Sequence, residues 1–562
     1  MTHDLVIRGG LLVDGTGAPA RRGDLAVNGD RIAGLGVVED RGRWEIDAGG
    51  LVVTPGFIDP HTHYDAQLTW DPLASCSSWH GITTLVTGNC GFTIAPCRAG
   101  DRETMMRMLQ YVEGMSLGAM QKGIRWDFEG FDEYLDVLER SGLWVNVGAL
   151  LGHSAIRQYV MGDAGWERAA SDDEIERMAA VVREAMAAGA LGLSSSANTN
   201  HVGDRGRPVP SRLAEERELT RLVATMGETG RGILELTIGG TRADRVAEVD
   251  RFAELARAGG RPITPVSIRH NPLRPDEHRQ VLARIEALHR EGLRVYPQGT
   301  CSPLTATFDL TGPFVFYRFP VWRRVLETPV SDWRTLFRDS GFRDEFRATV
   351  GRSALFTGDA SPLRVHAVRS PAFGHFVGRT VAAVARTMGK EIVDAFFDLA
   401  LDDDLKTQFT VAIVNTDAAA VAEIFTHPHT LLGLSDAGAH LTLFCEAGQT
   451  SRLLGHWVRE RQALALEEAV RRITSMPADV FGLPDRGRLA PGLAADLVAF
   501  DPATIADHPP ELVHDLPDGG PRLVQRATGI VWSFVNGRAV IREGRLPEAG
   551  AGPGPGRVLR PA

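Results

Sequence analysis

Between residues 51 and 436 the chain alternates short apolar runs with longer amphipathic segments. The apolar runs are Leu51–Asp59, Ile82–Asn89, Leu143–Gly152, Ala190–Ser196, Gly232–Ile238, Pro262–Ile268, Leu293–Gln298 and Thr430–Asp436. Their length and flanking turn residues predict strands buried on both faces. The amphipathic segments read as helices. The clearest is Ser171–Ala188, where Ser171-Asp-Asp-Glu174 is a capping box and Gly189 a stop. Others are predicted near residues 214–229, 243–258, 277–291 and 379–400. Strands alternating with such helices imply parallel βαβ units, and eight of them predict an α/β fold, a closed (β/α)8 TIM barrel. An open doubly wound sheet is disfavoured, because no Gly-x-Gly-x-x-Gly opens a helix after an early strand.

The pattern changes at both ends. Asn28-Gly29 and Asn536-Gly537 each separate two alternating apolar runs, a hairpin signal. The ends together predict a small β-sandwich domain from residues 1–54 and 487–546, with the barrel over 55–486. Residues 547–562 are rich in Gly and Pro and are expected to be a disordered tail. Residues 301–360 form an aromatic-rich insertion, with Trp322, Trp333, Phe337, Phe342 and Phe346. Placed after the seventh strand, it is expected either to wall the barrel mouth or to form a contact between copies in a homo-oligomer.

Composition narrows the class. The 562 residues are 43% hydrophobic and 23% charged, an ordinary globular balance. The net charge of −10, without a basic stripe, argues against nucleic acid or an anionic membrane surface as partner. No run approaches the 18 apolar residues of a membrane span, and Met1–Gly10 is not built as a signal peptide. Five cysteines (76, 90, 97, 301 and 445) make no disulfide framework and fit a reducing, cytoplasmic setting.

In a (β/α)8 barrel the reacting groups lie just past the carboxyl ends of the strands. The first strand stops at Asp59-Pro60 and is followed by His61-Thr-His63. In extended chain, residues i and i+2 share a side, so two imidazoles can face one metal ion. The second strand delivers Cys90 in Gly88-Asn-Cys-Gly91, the third His153 and the fourth Ser194-Ser-Ser196. The fifth carries Glu235 and Thr237, the sixth ends near His270, and the eighth delivers Asp436. Cys90 reads either as an inert buried filler or as a thiolate ligand for a borderline-soft ion. Asp436 reads either as a cap or as a ligand and proton acceptor, since a barrel closes its last strand on its first.

The order His-Thr-His, Gly-Asn-Cys-Gly and Gly-Leu-Ser-Asp, with strand-rich termini, resembles the amidohydrolase superfamily. More narrowly it resembles the N-acyl-D-amino-acid deacylases (D-aminoacylases). Local matches include Asp4–Gly15, Pro55–Asp59, Leu151–Arg157 and Gly487–Val498. The resemblance implies a metal-dependent hydrolase of C–N bonds using one or two divalent ions, Zn2+ first among them. It places His61, His63 and Asp436 around one ion and Cys90 on a tighter or bridging one. Two departures stand out. Typical members carry histidines at the ends of the fifth and sixth strands. Here the fifth has none, so Glu235 is a candidate replacement ligand if it points inward. The sixth has His270 a few residues late, the other candidate. Some related barrels use a carboxylated lysine instead, but Lys122, Lys390 and Lys406 lie on no predicted strand.

The expected chemistry is amide hydrolysis of a small-molecule substrate, an N-acyl-D-amino acid by resemblance. Asp436 would take a proton from water and pass it to the departing nitrogen. His153, Arg157 and His440 are candidate substrate contacts, with a structural role equally open for the histidines. A hydantoinase-like cyclic amide hydrolase and a non-catalytic ligand-binding barrel are the alternatives.

Overall fold

The computed structural model of the chain describes all residues except 1, 238, 240–244, 312–315, 317–318, 351–361, 548–551 and 562. Its described residues form two compact units. One comprises residues 1–302, 417–441 and 445–562, and the other 303–416 and 442–444.

The first unit is built on eight parallel strands: β1 (Phe57–Asp59), β2 (Ile82–Thr87), β3 (Asn146–Gly152), β4 (Gly192–Ser196), β5 (Ile233–Thr237), β6 (Ile263–Val266), β7 (Gln298–Gly299) and β8 (Leu431–Leu432). They pair in strict sequence order from β1 to β8. The sheet curls. Just past its two edge strands the chain meets itself again, with Thr62 bridging Ala437 in parallel and the His63 N–H donating to the Ala437 carbonyl at 2.7 Å. Every predicted buried strand is present, and the helix over Asp172–Ala188 starts at the Ser171 capping box and stops at Gly189.

The first predicted strand divides in two. Val52–Pro55 joins a different sheet, and only Phe57–Asp59 opens the parallel one. The divide falls at Gly56, where a Cβ would lie 2.0 Å from Thr83 Oγ1, so only glycine lets the two sheets approach there. The eighth strand is shorter than predicted, and the seventh begins only at Gln298, the last residue of the predicted Leu293–Gln298. After β8 the backbone leaves extended geometry at Leu434 (φ 67°) and Asp436 (φ 48°).

Both chain ends supply the second sheet, which belongs to the same compact unit. Its strands run in the order Arg538–Arg542, Ile530–Val535, Leu497–Phe500, Val52–Pro55, His3–Leu12, Arg21–Asn28 and Arg31–Gly36, with Gly42–Asp47 pairing His3–Leu12. The hairpins expected at Asn28-Gly29 and Asn536-Gly537 are present. A buried polar cluster ties the sheets together: Asn146 of β3 donates to Asp496 Oδ2 at 2.9 Å, and Asn536 donates to Asn146 Oδ1 at 2.8 Å. The chain end, expected as a disordered tail over 547–562, is ordered in its described part. Val558 bridges Val147, and the Leu559 N–H donates to the Val147 carbonyl at 2.7 Å. The glycines of that segment allow the close approach, since a Cβ at Gly556 would fall 2.1 Å from the Val145 carbonyl oxygen.

The second unit extends well beyond the expected 301–360. It holds a three-stranded antiparallel sheet of Leu304–Phe308, Gln408–Val414 and Arg364–Ala367. Trp322, Phe337, Phe342 and Phe346 are fully buried against Phe316, Phe396 and Phe397. These aromatics are therefore the core of their own unit.

Candidate active site

The ends of β1, β2, β5 and β8 converge. Beyond β1 the Asp59 carboxylate accepts the His61 N–H at 3.2 Å and the Ser435 hydroxyl at 2.6 Å, fastening the start of the His-Thr-His turn to the segment after β8. Thr62 donates through its N–H (3.0 Å) and its hydroxyl (2.8 Å) to the Val86 carbonyl, so the two histidines on either side turn inward. Their rings stand 5.3 Å apart at 71°. Both are buried.

Cys90 arrives on a turn that its neighbours make possible. It has φ 56°, between Gly88 at 83° and Gly91 at 80°. A Cβ at Gly88 would lie 2.2 Å from the Leu150 carbonyl oxygen, and one at Gly91 would lie 3.1 Å from Ser195 Cα. The Cys90 N–H donates to Glu235 Oε2 at 2.6 Å, and the Gly91 N–H donates to Ser194 Oγ at 3.0 Å.

One ligand atom from each of His61, His63 and Cys90 lies within 4.8 Å of the others. His61 Nε2 is 3.5 Å from Cys90 Sγ and 3.2 Å from Asp436 Oδ1, and His63 Nε2 is 3.8 Å from the same oxygen. Donors at tetrahedral angles, with ion–nitrogen and ion–sulfur bonds of about 2.0–2.3 Å, lie roughly 3.3–3.7 Å apart. The observed spacings fall in or close to that range. Two imidazoles, a thiol and a carboxylate are also a suitable donor set for a zinc-like ion. The residues present fit a metal.

The electrostatics follow the burial. Burial works against an ionised Asp436, but the hydrogen bond and charge of His61 and the charge of His63 outweigh it and hold the carboxyl well below its ordinary range. Burial lowers His61 and Asp436 raises it, with a net upward shift. Burial pushes the Cys90 thiol well up, with Glu235, Glu113 and Asp436 adding to the effect. A divalent cation reverses this logic, because a coordinating thiol gives up its proton. Asp436 and His440 are 15% and 16% exposed, whereas the His61 and His63 side chains are nearly closed off, so the cluster opens towards solvent on the Asp436 side.

Glu235 and His440 are also brought here, Glu235 against the Cys90 turn and His440 with its Nε2 3.8 Å from Glu113 Oε2. His270 is not. Its ring packs edge-on against His278 of the helix Glu277–Arg290, with centroids 5.7 Å apart. His153 and Arg157 do not face the cluster either. The helix His153–Met161 begins directly after β3 and turns both side chains into a buried network. There His153 bonds Ser195 Oγ (2.9 Å) and Glu218 Oε1 (2.8 Å), and Arg157 pairs with Glu218.

Sequence reading missed Glu113. This last residue of the helix Arg102–Glu113 places Oε2 3.7 Å from His63 Nε2, and burial pushes its carboxyl well up. Nothing in Val112-Glu113-Gly114 distinguishes it from a solvent-facing helix end. His201 is also at the site, its Nδ1 2.7 Å from Ser196 Oγ, and the charges of His440, Asp436 and His61 act on its ring. Arg269, half-buried after β6, and Glu446 lie within the field of Asp436.

Comparison with known proteins gives the same direction. The sequence pattern of the amidohydrolase family matches residues 45–313 and 363–546. The D-aminoacylase of Alcaligenes xylosoxydans xylosoxydans is 30% identical over 573 residues, covering 99% of this chain and 97% of that protein. The N-acyl-D-glutamate deacylase of the same organism is 30% identical over 571 residues, with 99% and 96% covered. Among solved structures, the N-acyl-D-glutamate deacylase from Bordetella bronchiseptica, complexed with zinc and a phosphonate mimic of the tetrahedral intermediate, superposes with a TM-score of 0.69. It is 28% identical, with 100% of both chains covered.

Proposed function

The chain belongs to the amidohydrolase family, and from that premise we propose that it removes the acyl group from an N-acyl-D-amino acid by hydrolysing the amide bond. The observation that carries this is the meeting of His61, His63 and Cys90 within 4.8 Å of one another, with Asp436 Oδ1 3.2 Å from His61 Nε2 and 3.8 Å from His63 Nε2. The D-aminoacylase and the D-glutamate deacylase to which the chain is similar support the substrate class. The reading takes the curled sheet as a closed (β/α)8 barrel, which the Thr62–Ala437 bridge supports.

His61, His63, Cys90 and Asp436 are the residues that would hold the ion. When bound, a zinc-like ion lowers the pKa of water and polarises a carbonyl group. Asp436 is kept as a carboxylate by His61 and His63, and its side chain reaches the open side of the cluster. It accepts the proton of the attacking water and returns it to the nitrogen that leaves, so the amine departs neutral. His440, from the same loop, hydrogen-bonds the acyl oxygen.

The test is a panel of N-acetyl-D-amino acids, their L-enantiomers, hydantoins and simple amides, assayed with metal-replete and chelator-treated protein. Turnover of the D-series that is lost on chelation supports the proposal. A clear preference for the L-series or for cyclic amides overturns it.

A further inference from the structure

Glu235 sits at the centre of β5, in register with Ser194 on one side and Thr264 on the other, and is fully buried. One carboxylate oxygen, Oε2, accepts the Cys90 N–H at 2.6 Å. The other, Oε1, is buried and has no hydrogen-bond partner among the described residues. A buried carboxylate oxygen left unpartnered is costly, and such groups are ordinarily hydrogen-bonded, paired or bound to a metal. The nearby groups whose charge acts on Glu235 include His61 and Asp436, both members of the cluster described above.

Resting on the metal-hydrolase reading, we propose that Glu235 is itself a metal ligand, its Oε1 binding the divalent ion held by the Cys90 thiolate. The second oxygen then has a separate job: it braces the left-handed turn that presents the sulfur. One side chain thus both ligates the ion and aims its neighbour at it. A thiolate with a carboxylate and imidazole suits a borderline ion of the zinc type.

Glu235→Gln separates the two roles, because the amide oxygen can still accept the Cys90 N–H while the charge is gone. The experiment strips the full-length protein with chelator and titrates it with Co2+, following the thiolate-to-cobalt absorption and counting bound ions per chain. Circular dichroism verifies that the variant is folded. The variant is expected to bind the Cys90 ion more than about 100-fold more weakly, beyond the 10–100-fold typical of a residue that only orients a ligand. Unchanged affinity overturns the inference and leaves Glu235 as a brace alone. Wild-type protein that takes up no Co2+ fails earlier, at the hydrolase reading itself, so the two failures are distinguishable. Should the variant not fold, zinc-soaked crystals of the wild type decide: a Glu235 oxygen at about 2.0–2.2 Å from the ion supports the proposal, and one hydrogen-bonded only to Cys90 overturns it.

Discussion

His61 Nε2 lies 3.2 Å from Asp436 Oδ1, joining the segment after the first strand of the parallel sheet to the segment after the last. The Ser435 hydroxyl reinforces the same junction by donating to Asp59 at 2.6 Å. The site therefore depends on the sheet curling far enough for its edges to meet, and Asp436 can serve the chemistry only where the two histidines are already in place.

Asp436→Asn keeps the size of the side chain and removes its ability to take a proton. Turnover is expected to fall by about 10²–10⁴-fold, the usual weight of a positioned proton acceptor. The protein should remain folded and retain part of its metal, as read by steady-state assay and metal content on one preparation. A variant with near-normal turnover would remove Asp436 from the proton-transfer role.

Glu218 is expected to matter for stability and not for substrate. It is buried between His153 and Arg157. Glu218→Ala leaves the Arg157 charge without its carboxylate partner, and breaking such a pair costs roughly 3–5 kcal/mol. Denaturant unfolding should show that loss, while KM and the metal content of the folded fraction stay unchanged. A raised KM at unchanged stability would favour His153 and Arg157 as substrate contacts.

His80 gives the fold a pH dependence of defined sign. Its Nε2 donates to the Gln525 carbonyl at 3.0 Å, and its Nδ1 accepts from the Ser451 hydroxyl at 2.8 Å, an arrangement that suits the neutral ring. Burial lowers it to about 4, with the Gln525 bond opposing. The unfolded chain binds the proton near the ordinary 6.5 and the folded chain does not. The contribution is thus fully present above pH 6.5 and lost as pH falls from there towards 4. By the pKa difference it amounts to about 3 kcal/mol. Unfolding midpoints measured from pH 7 down to 4.5 should drop more steeply in wild type than in His80→Gln. Parallel curves would contradict the assignment.

Gly88→Ala is expected to disturb the Cys90 turn. Alanine meets a φ of 83° and a carbonyl oxygen 2.2 Å from its Cβ. The backbone conformation alone costs about 1–3 kcal/mol, and the overlap adds to it. Thermal unfolding and cobalt–thiolate absorption should both weaken. Loss of stability with the absorption intact would show that the turn does not position the sulfur.

The parts of this site that were legible from sequence are those set by local pattern or by strand order. His61 and His63 share a side because they are two residues apart, and Asp436 could be placed by counting strands. Cys90 could be placed because paired glycines mark a turn. Glu113 was not legible, since a helix-end acid becomes a site residue only through the docking of its helix beside His63. For His153 a helix starts on it at once and turns it into the Glu218 network, and for His270 the ring packs against His278, contacts that no local pattern records. The division of Leu51–Asp59 rested on a contact between Gly56 and Thr83 that no local pattern records. The aromatic insertion was visible as an insertion, but its aromatics pack inward on a core that continues well past residue 360.

The central claim is that His61, His63, Cys90 and Asp436 surround a divalent cation, and an anomalous difference map at the zinc edge, from crystals grown without chelator, tests it most directly. The expected result is a peak within bonding distance of His61 Nε2, with Cys90 Sγ and Asp436 Oδ1 among its neighbours, that is absent from crystals of the His61→Ala/His63→Ala double variant. A wild-type map with no peak between these side chains, in protein that turns over substrate, would contradict the account.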